Sequence, residues 1–111
     1  RVPGQARPVI LAMAPMVGQS DLPFRTLVRR YGTTLVYTEM FLADRFAAEP
    51  SYRDMALGSD GLGAEDHPTA VQFASNEPGE FVAAALEAQR LGADAVDLNL
   101  GCPQRRARDQ R

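Results

Sequence analysis

Ala95-Val96-Asp97-Leu98-Asn99-Leu100-Gly101-Cys102-Pro103 is a short apolar run that stops in residues no hydrophobic core requires. Such a run bounded by turn signals reads as a buried strand. Its end carries an amide, a glycine, a thiol and a proline, and reads as a strand end prepared for chemistry. The pattern recurs upstream: Val9 to Met13 leads into Ala14-Pro15-Met16, Leu35 to Thr38 leads into Glu39-Met40, and Ala70 to Phe73 carries Gln72 within it.

The segments between these runs have helical punctuation. Ser20 is the expected N-cap of a helix that tolerates Pro23 in its first turn and ends before Gly32, with Phe24, Leu27, Val28 and Tyr31 on one face. Asn76 is the expected cap of a second helix, from about Glu77 to Leu91, stopped by Gly92; Phe81, Ala85, Ala88 and Leu91 line its sheet-facing side. Between the second and third runs a short helix is predicted at about Phe41 to Ala48. A loop then carries Gly58, Gly61 and Gly63 among Asp60, Glu65 and Asp66.

The order is βαβ(α)βαβ, which implies parallel strands with right-handed crossovers. The strand ends at Ala14, Thr38, Phe73 and Leu98 give an average unit of roughly 28 residues, close to the ~30 of a (β/α)8 barrel. The expected fold class is therefore α/β: the N-terminal half, about four β/α units, of a TIM (β/α)8 barrel. A doubly wound sheet stays open on pattern alone, although the first turn lacks a G-x-G-x-x-G fingerprint. Residues 1–8 read as an N-terminal extension, 9–104 as a partial barrel, and 105–111 as a basic, truncated tail. Half a barrel has open sheet edges, so these 111 residues alone are expected to pack loosely and not to retain a cofactor.

Composition narrows the chemistry. The formal charge is -2, and all twelve basic residues are arginine, so no lysine Schiff base can form. No apolar stretch approaches the ~20 residues of a membrane span, so no membrane partner is expected and a cytoplasmic setting, with the nucleus possible, is the default. One cysteine cannot form an internal disulfide, which suits a reducing compartment. The basic cluster Arg105, Arg106, Arg108 and Arg111 is interrupted by Asp109 and reads first as a solvated terminus. No metal site is expected.

In a (β/α)8 barrel the strand ends converge on one face, where active sites are built. Pro15 keeps its neighbours extended, leaving the next carbonyl and N–H groups free to face a ligand or simply ending the strand. Gln72 offers donors and acceptors to a heterocycle, or is a buried amide satisfied by backbone. Glu39 either bonds substrate, holds another site residue, or pairs with Arg25 or another arginine. His67 precedes Pro68 at the opposite, N-terminal rim and is a poor catalytic candidate. Gly101 and Pro103 hold Cys102 on the active face as a general acid; a nucleophilic thiolate and a structural thiol are the alternatives.

Ala14-Pro15-Met16 with Asp21 and Phe24-Arg25, then Tyr37-Thr38-Glu39-Met40, Val71-Gln72-Phe73 and the block from Asp97 to Pro103 resemble, in order and spacing, the N-terminal half of the tRNA-dihydrouridine synthases, with Gln104 closer to eukaryotic members. The resemblance implies FMN across the barrel mouth, reduced by NADPH, and reduction of a tRNA uridine. It implies flavin contacts from Pro15, Met16 and Val17 through backbone and from Gln72 through its side chain. Asn99, with Glu39 nearby, would bind the uracil, and Cys102 would protonate C5. The lysine, histidine and phosphate-binding loops of the family's later strands, and its helical C-terminal domain, have no counterpart here, and residues 105–111 lack the glycine-rich continuation of the family. Two other readings remain: another FMN-dependent barrel, such as a dihydroorotate dehydrogenase or an ene-reductase, acting on small molecules, and a non-catalytic half-barrel fragment that binds RNA or a partner.

Overall fold

The computed structural model describes residues 9–101. Four strands, β1 (Ala12–Met13), β2 (Leu35–Leu42), β3 (Thr69–Ala74) and β4 (Ala95–Leu98), form one sheet in the order β1-β2-β3-β4, every pair parallel. Helix α1 (Leu22–Arg30) connects β1 to β2, α2 (Ala43–Ala48) and α3 (Pro50–Leu57) connect β2 to β3, and α4 (Pro78–Arg90) connects β3 to β4. Strands adjacent in chain order are adjacent in space. That is the arrangement of successive barrel units; a doubly wound sheet would reverse its strand order at a switch point.

The core lies between the sheet and its helices. Phe41, Phe46, Tyr52, Val71 and Phe73 are buried there with Ala84 and Ala88 of α4. Phe46 meets Phe73 edge-on at 4.9 Å between ring centroids, and Phe73 meets Phe81 at 6.2 Å, separations at which aromatic pairs attract beyond their area burial. Small alanines on α4 let that helix approach these rings.

Several expectations change. β1 begins only at Ala12, the register partner of Leu35 where β2 begins; before it, the Leu11 carbonyl accepts the Thr34 and Leu35 N–H. β2 continues to Leu42 instead of stopping at Thr38, since its ladder with β3 resumes beyond a bulge between Tyr37 and Met40. The cap of α1 is Asp21, whose side chain accepts from the Phe24 N–H, and not Ser20. Glu77, not Asn76, precedes α4, and Ser75 Oγ accepts the Glu77 N–H. The inward residues of α1 are Phe24, Arg25, Val28 and Arg29, while Leu27 and Tyr31 are exposed; Arg25 is buried and Arg29 half-buried, and each finds oxygen partners there. Helix α3 has no counterpart in the sequence reading. Its signals are Pro50 in the first turn and Gly58, at φ 83°, just past the end.

Gly61 has a steric requirement. It adopts φ 77°, and a Cβ there would stand 2.5 Å from the Leu91 carbonyl oxygen. The Leu62 N–H donates to that same carbonyl (2.9 Å), so the loop before β3 is pinned to the end of α4. Among the described residues no helix is long and apolar enough to cross a membrane.

Candidate active site at the strand ends

Gln72 and Asp97 are register partners on β3 and β4, so their side chains share one face of the sheet. Val71 and Phe73 alternate to the other face, among the helices. Gln72 is buried, and its polar atoms are engaged: Nε2 donates to Asp97 Oδ2 (2.7 Å), and Oε1 accepts from Asn99 Nδ2 (3.2 Å). Asn99 Oδ1 accepts the Gly101 N–H (3.0 Å), and the Asn99 N–H donates to the Phe73 carbonyl (2.9 Å). Asp97, Gln72, Asn99 and Gly101 thus form one chain of hydrogen bonds across two strand ends.

The bulge in β2 sets the depth of Gln72. At the extra residue, Thr38 Oγ1 accepts the Gln72 N–H (3.2 Å) and donates to the Glu39 carbonyl (2.8 Å), repairing the ladder where the strands fall out of register. Glu39, just beyond, directs its carboxylate to the Gly18 N–H. It therefore pairs with the turn after β1 and not with Arg25.

Pro15, Met16 and Val17 form a shelf whose groups are free only in part. Met16 N–H donates to Ser20 Oγ (2.9 Å), and the Met16 carbonyl accepts from Gln19 and Ser20 N–H (3.1 and 3.0 Å). The Met16 N–H and carbonyl are therefore both engaged within the turn. The Pro15 carbonyl and Val17 N–H have no partner among the described residues. Ser20, fully buried, folds the turn back on itself, which is why it does not cap α1.

Ion pairs collect around the start of β3. Arg25 spans from the Ser20 carbonyl (2.8 Å) to Asp66, which it grips through Nε and a terminal nitrogen (2.6 Å for the shortest contact). Burial alone would raise the Asp66 pKa, but the hydrogen bonds and charge of Arg25, with help from Thr69 and Arg29, outweigh it and hold the carboxyl below its ordinary value. Asp94 is also held low, chiefly by the Thr69 N–H and then by His67, whose Nδ1 lies 2.7 Å away. His67 sits just before β3, whereas Gln72 and Asn99 lie toward the strands' far ends.

The structure thus brings Gln72 and Asn99 together and ties Glu39 to the shelf. Cys102, the general-acid candidate, and the basic cluster from Arg105 lie outside the described residues. Sequence reasoning missed the roles of Asp97, Thr38, Ser20 and Asp66. Asp97 had a signal: like Gln72, it is a polar residue inside an apolar strand.

A family model described as dihydrouridine synthase (Dus) matches residues 12–111. The chain is 50% identical over 104 residues to a rat (Rattus norvegicus) protein named tRNA-dihydrouridine(16/17) synthase NAD(P)(+)-like, covering 94% of this chain and 23% of that one. It is 49% identical over 92 residues to the tRNA-dihydrouridine(16/17) synthase NAD(P)(+) of Saccharomyces cerevisiae, covering 83% and 22%. It is 38% identical over 96 residues to tRNA-dihydrouridine synthase B of Pseudomonas aeruginosa, covering 86% and 28%. The chain therefore spans about a quarter of the length of these relatives.

Proposed function

This chain belongs to the dihydrouridine synthase family, and we propose that it supplies the first four strands of a flavin-binding barrel that reduces uridine in tRNA to 5,6-dihydrouridine. The observation that carries the reading is the Gln72–Asn99 hydrogen bond. It joins two strand ends on the face opposite the aromatic core, immediately before the Gly101-Cys102-Pro103 block.

The residues present fit an FMN. The Pro15 carbonyl and Val17 N–H offer one acceptor and one donor at the turn that follows β1. Gln72 keeps amide capacity beyond its two bonds, since a carboxamide has two donors and two lone pairs. Together they suit the alternating edge of an isoalloxazine, with Met16 contributing through its side chain because its backbone is already engaged. An FMN held there and reduced by NADPH would supply hydride chemistry toward C6 of the uracil.

Asn99 orients the uracil, and Glu39 holds the shelf through Gly18. Cys102 holds a proton on Sγ for delivery to C5, on the face opposite the hydride. A thiol with an ordinary pKa of about 8.5 is mostly protonated at neutral pH, as this role requires. The target base must leave the RNA stack to enter such a site.

The test is Cys102→Ala in the flavin-loaded enzyme, followed by stopped-flow. Flavin reduction by NADPH is expected to be unchanged, and reoxidation by tRNA to slow by about 10²- to 10⁴-fold, the usual contribution of a positioned acid. Cys102→Ser should fall almost as far. Normal reoxidation in the alanine variant would return Cys102 to a structural role.

A further inference from the structure

The hydrogen-bond chain at the strand ends has fixed polarity at both ends. Asp97 presents a carboxylate, which accepts and does not donate, and Gly101 presents a backbone N–H, which donates and does not accept. Between them stand two carboxamides, each with one donating and one accepting end. All three bonds can form together in only one way. Gln72 Nε2 must face Asp97, Gln72 Oε1 must face the Asn99 nitrogen, and Asn99 Oδ1 must face Gly101.

We propose that Asp97 is a positioning residue whose carboxylate fixes Gln72, and through it Asn99, so that the flavin-facing and uridine-facing amides are held in a single orientation. The proposal deepens the functional reading above and rests on it for what the two amides face. The geometry around Asp97 favours it. Asp97 lies opposite Gln72 in the parallel ladder, its bond to Nε2 is the shortest of the three at 2.7 Å, and Gln72 is too buried for water to replace a lost acceptor freely. Thr38 meanwhile anchors the Gln72 main chain (3.2 Å), leaving rotation of the carboxamide as the freedom that Asp97 removes. A flipped Gln72 would present its nitrogen to the Asn99 nitrogen, so an error at one amide propagates to the other.

Two substitutions separate an acceptor from a charge and from a shape. Asp97→Asn keeps an oxygen that can accept from Gln72, whereas Asp97→Leu keeps the approximate volume without any acceptor. Flavin affinity, measured by titrating apoprotein with FMN, is expected to stay within about fivefold in Asp97→Asn and to weaken roughly ten- to hundredfold in Asp97→Leu, the range for a buried donor left without a partner. The reverse order, with Leu tolerated and Asn not, would overturn the proposal. In the Gln72→Ala background, Asp97→Leu should add less than about twofold, because its effect runs through Gln72. Additive losses would show that Asp97 acts on the flavin site independently and would also overturn it.

A readout without flavin keeps the two readings apart. In side-chain amide NMR spectra of the apoprotein, Asp97→Leu should move the resonances of both Gln72 and Asn99 while leaving exposed Asn76 and Gln89 in place. Asn99→Ala, which reads the chain from its other end, should move Gln72. An unmoved Asn99 in the first variant, or an unmoved Gln72 in the second, removes the relay. If Gln72→Ala leaves flavin affinity unchanged while the resonances move as stated, the assignment of Gln72 to flavin fails and the positioning role of Asp97 stands.

Discussion

Phe73 and Gln72 are neighbours on β3, yet they face regions held together by different physics. Phe73 turns toward the helices, where Phe46 and Phe81 meet its ring and position depends on volume and shape. Gln72 turns to the other face, where Asp97, Asn99 and the Thr38 hydroxyl define its position through hydrogen bonds. Packing is tolerant of chemistry and intolerant of voids; a polar chain tolerates small shifts but no missing partner. One strand therefore carries a packed side and a hydrogen-bonded side, separable by mutation.

The largest expected effect lies on the packed side. Phe73→Ala removes a fully buried ring that touches two others, and should cost about 3–5 kcal/mol in urea unfolding. A loss under about 1 kcal/mol would mean that the aromatic cluster does not carry the fold.

Next comes the buried pair at the start of β3. Asp66→Asn leaves Arg25 without its counter-charge, and breaking such a pair costs about 3 kcal/mol or more. The pH dependence has a definite sign. The Asp66 carboxyl is depressed in the folded state, so its stabilisation is present above the ordinary value of 3.8 and is lost as pH falls through that value toward the lower folded-state pKa. Wild type should lose stability over this window, and Asp66→Asn should show a shallower slope there. Equal slopes from pH 5 to pH 2 would mean that Asp66 is not the linked group.

Thr38→Val should cost about 1–3 kcal/mol, because the Gln72 N–H loses its acceptor inside the sheet while the side-chain volume hardly changes. Thr38→Ser keeps the hydroxyl and should retain most of that stability. If Gln72 holds flavin as proposed, its displacement should lower flavin retention in the valine variant, with recovery in the serine variant. A valine variant as stable and as yellow as wild type would remove the bulge from the positioning of Gln72.

The two sides are not equally legible in the sequence. Strand β4 has the ends that its apolar run predicts, and Gln72 stands out because an amide interrupts an otherwise apolar strand. Local periodicity carries such signals. It cannot reveal that Arg25 seeks Asp66, 41 positions along the chain, and so it predicts that α1 buries Leu27 and Tyr31 in place of its arginines. Local rules favour Ser20 as a cap for the same reason. The competing bond to Met16 depends on the turn after Pro15, which only the folded chain defines. The bulge that lengthens β2 arises from pairing with β3 and leaves no mark in β2 alone.

The smallest effect is expected at Glu39, on the hydrogen-bonded side and remote from the packed core. Its carboxylate accepts the Gly18 N–H, and Gly18 sits at φ 72° in the turn just after Val17. Glu39→Gln preserves an oxygen at the same reach, so the bond survives with less charge assistance. Because the site is partly open to water, which can replace part of what is lost, the unfolding midpoint should hardly move. The local consequence should still be measurable as hydrogen exchange. The Gly18 amide should lose protection modestly in Glu39→Gln and strongly in Glu39→Ala, while amides of β3 remain protected as in wild type. If Gly18 exchange is the same in all three proteins but uridine reduction falls in the alanine variant, Glu39 acts on the substrate directly and does not hold the shelf.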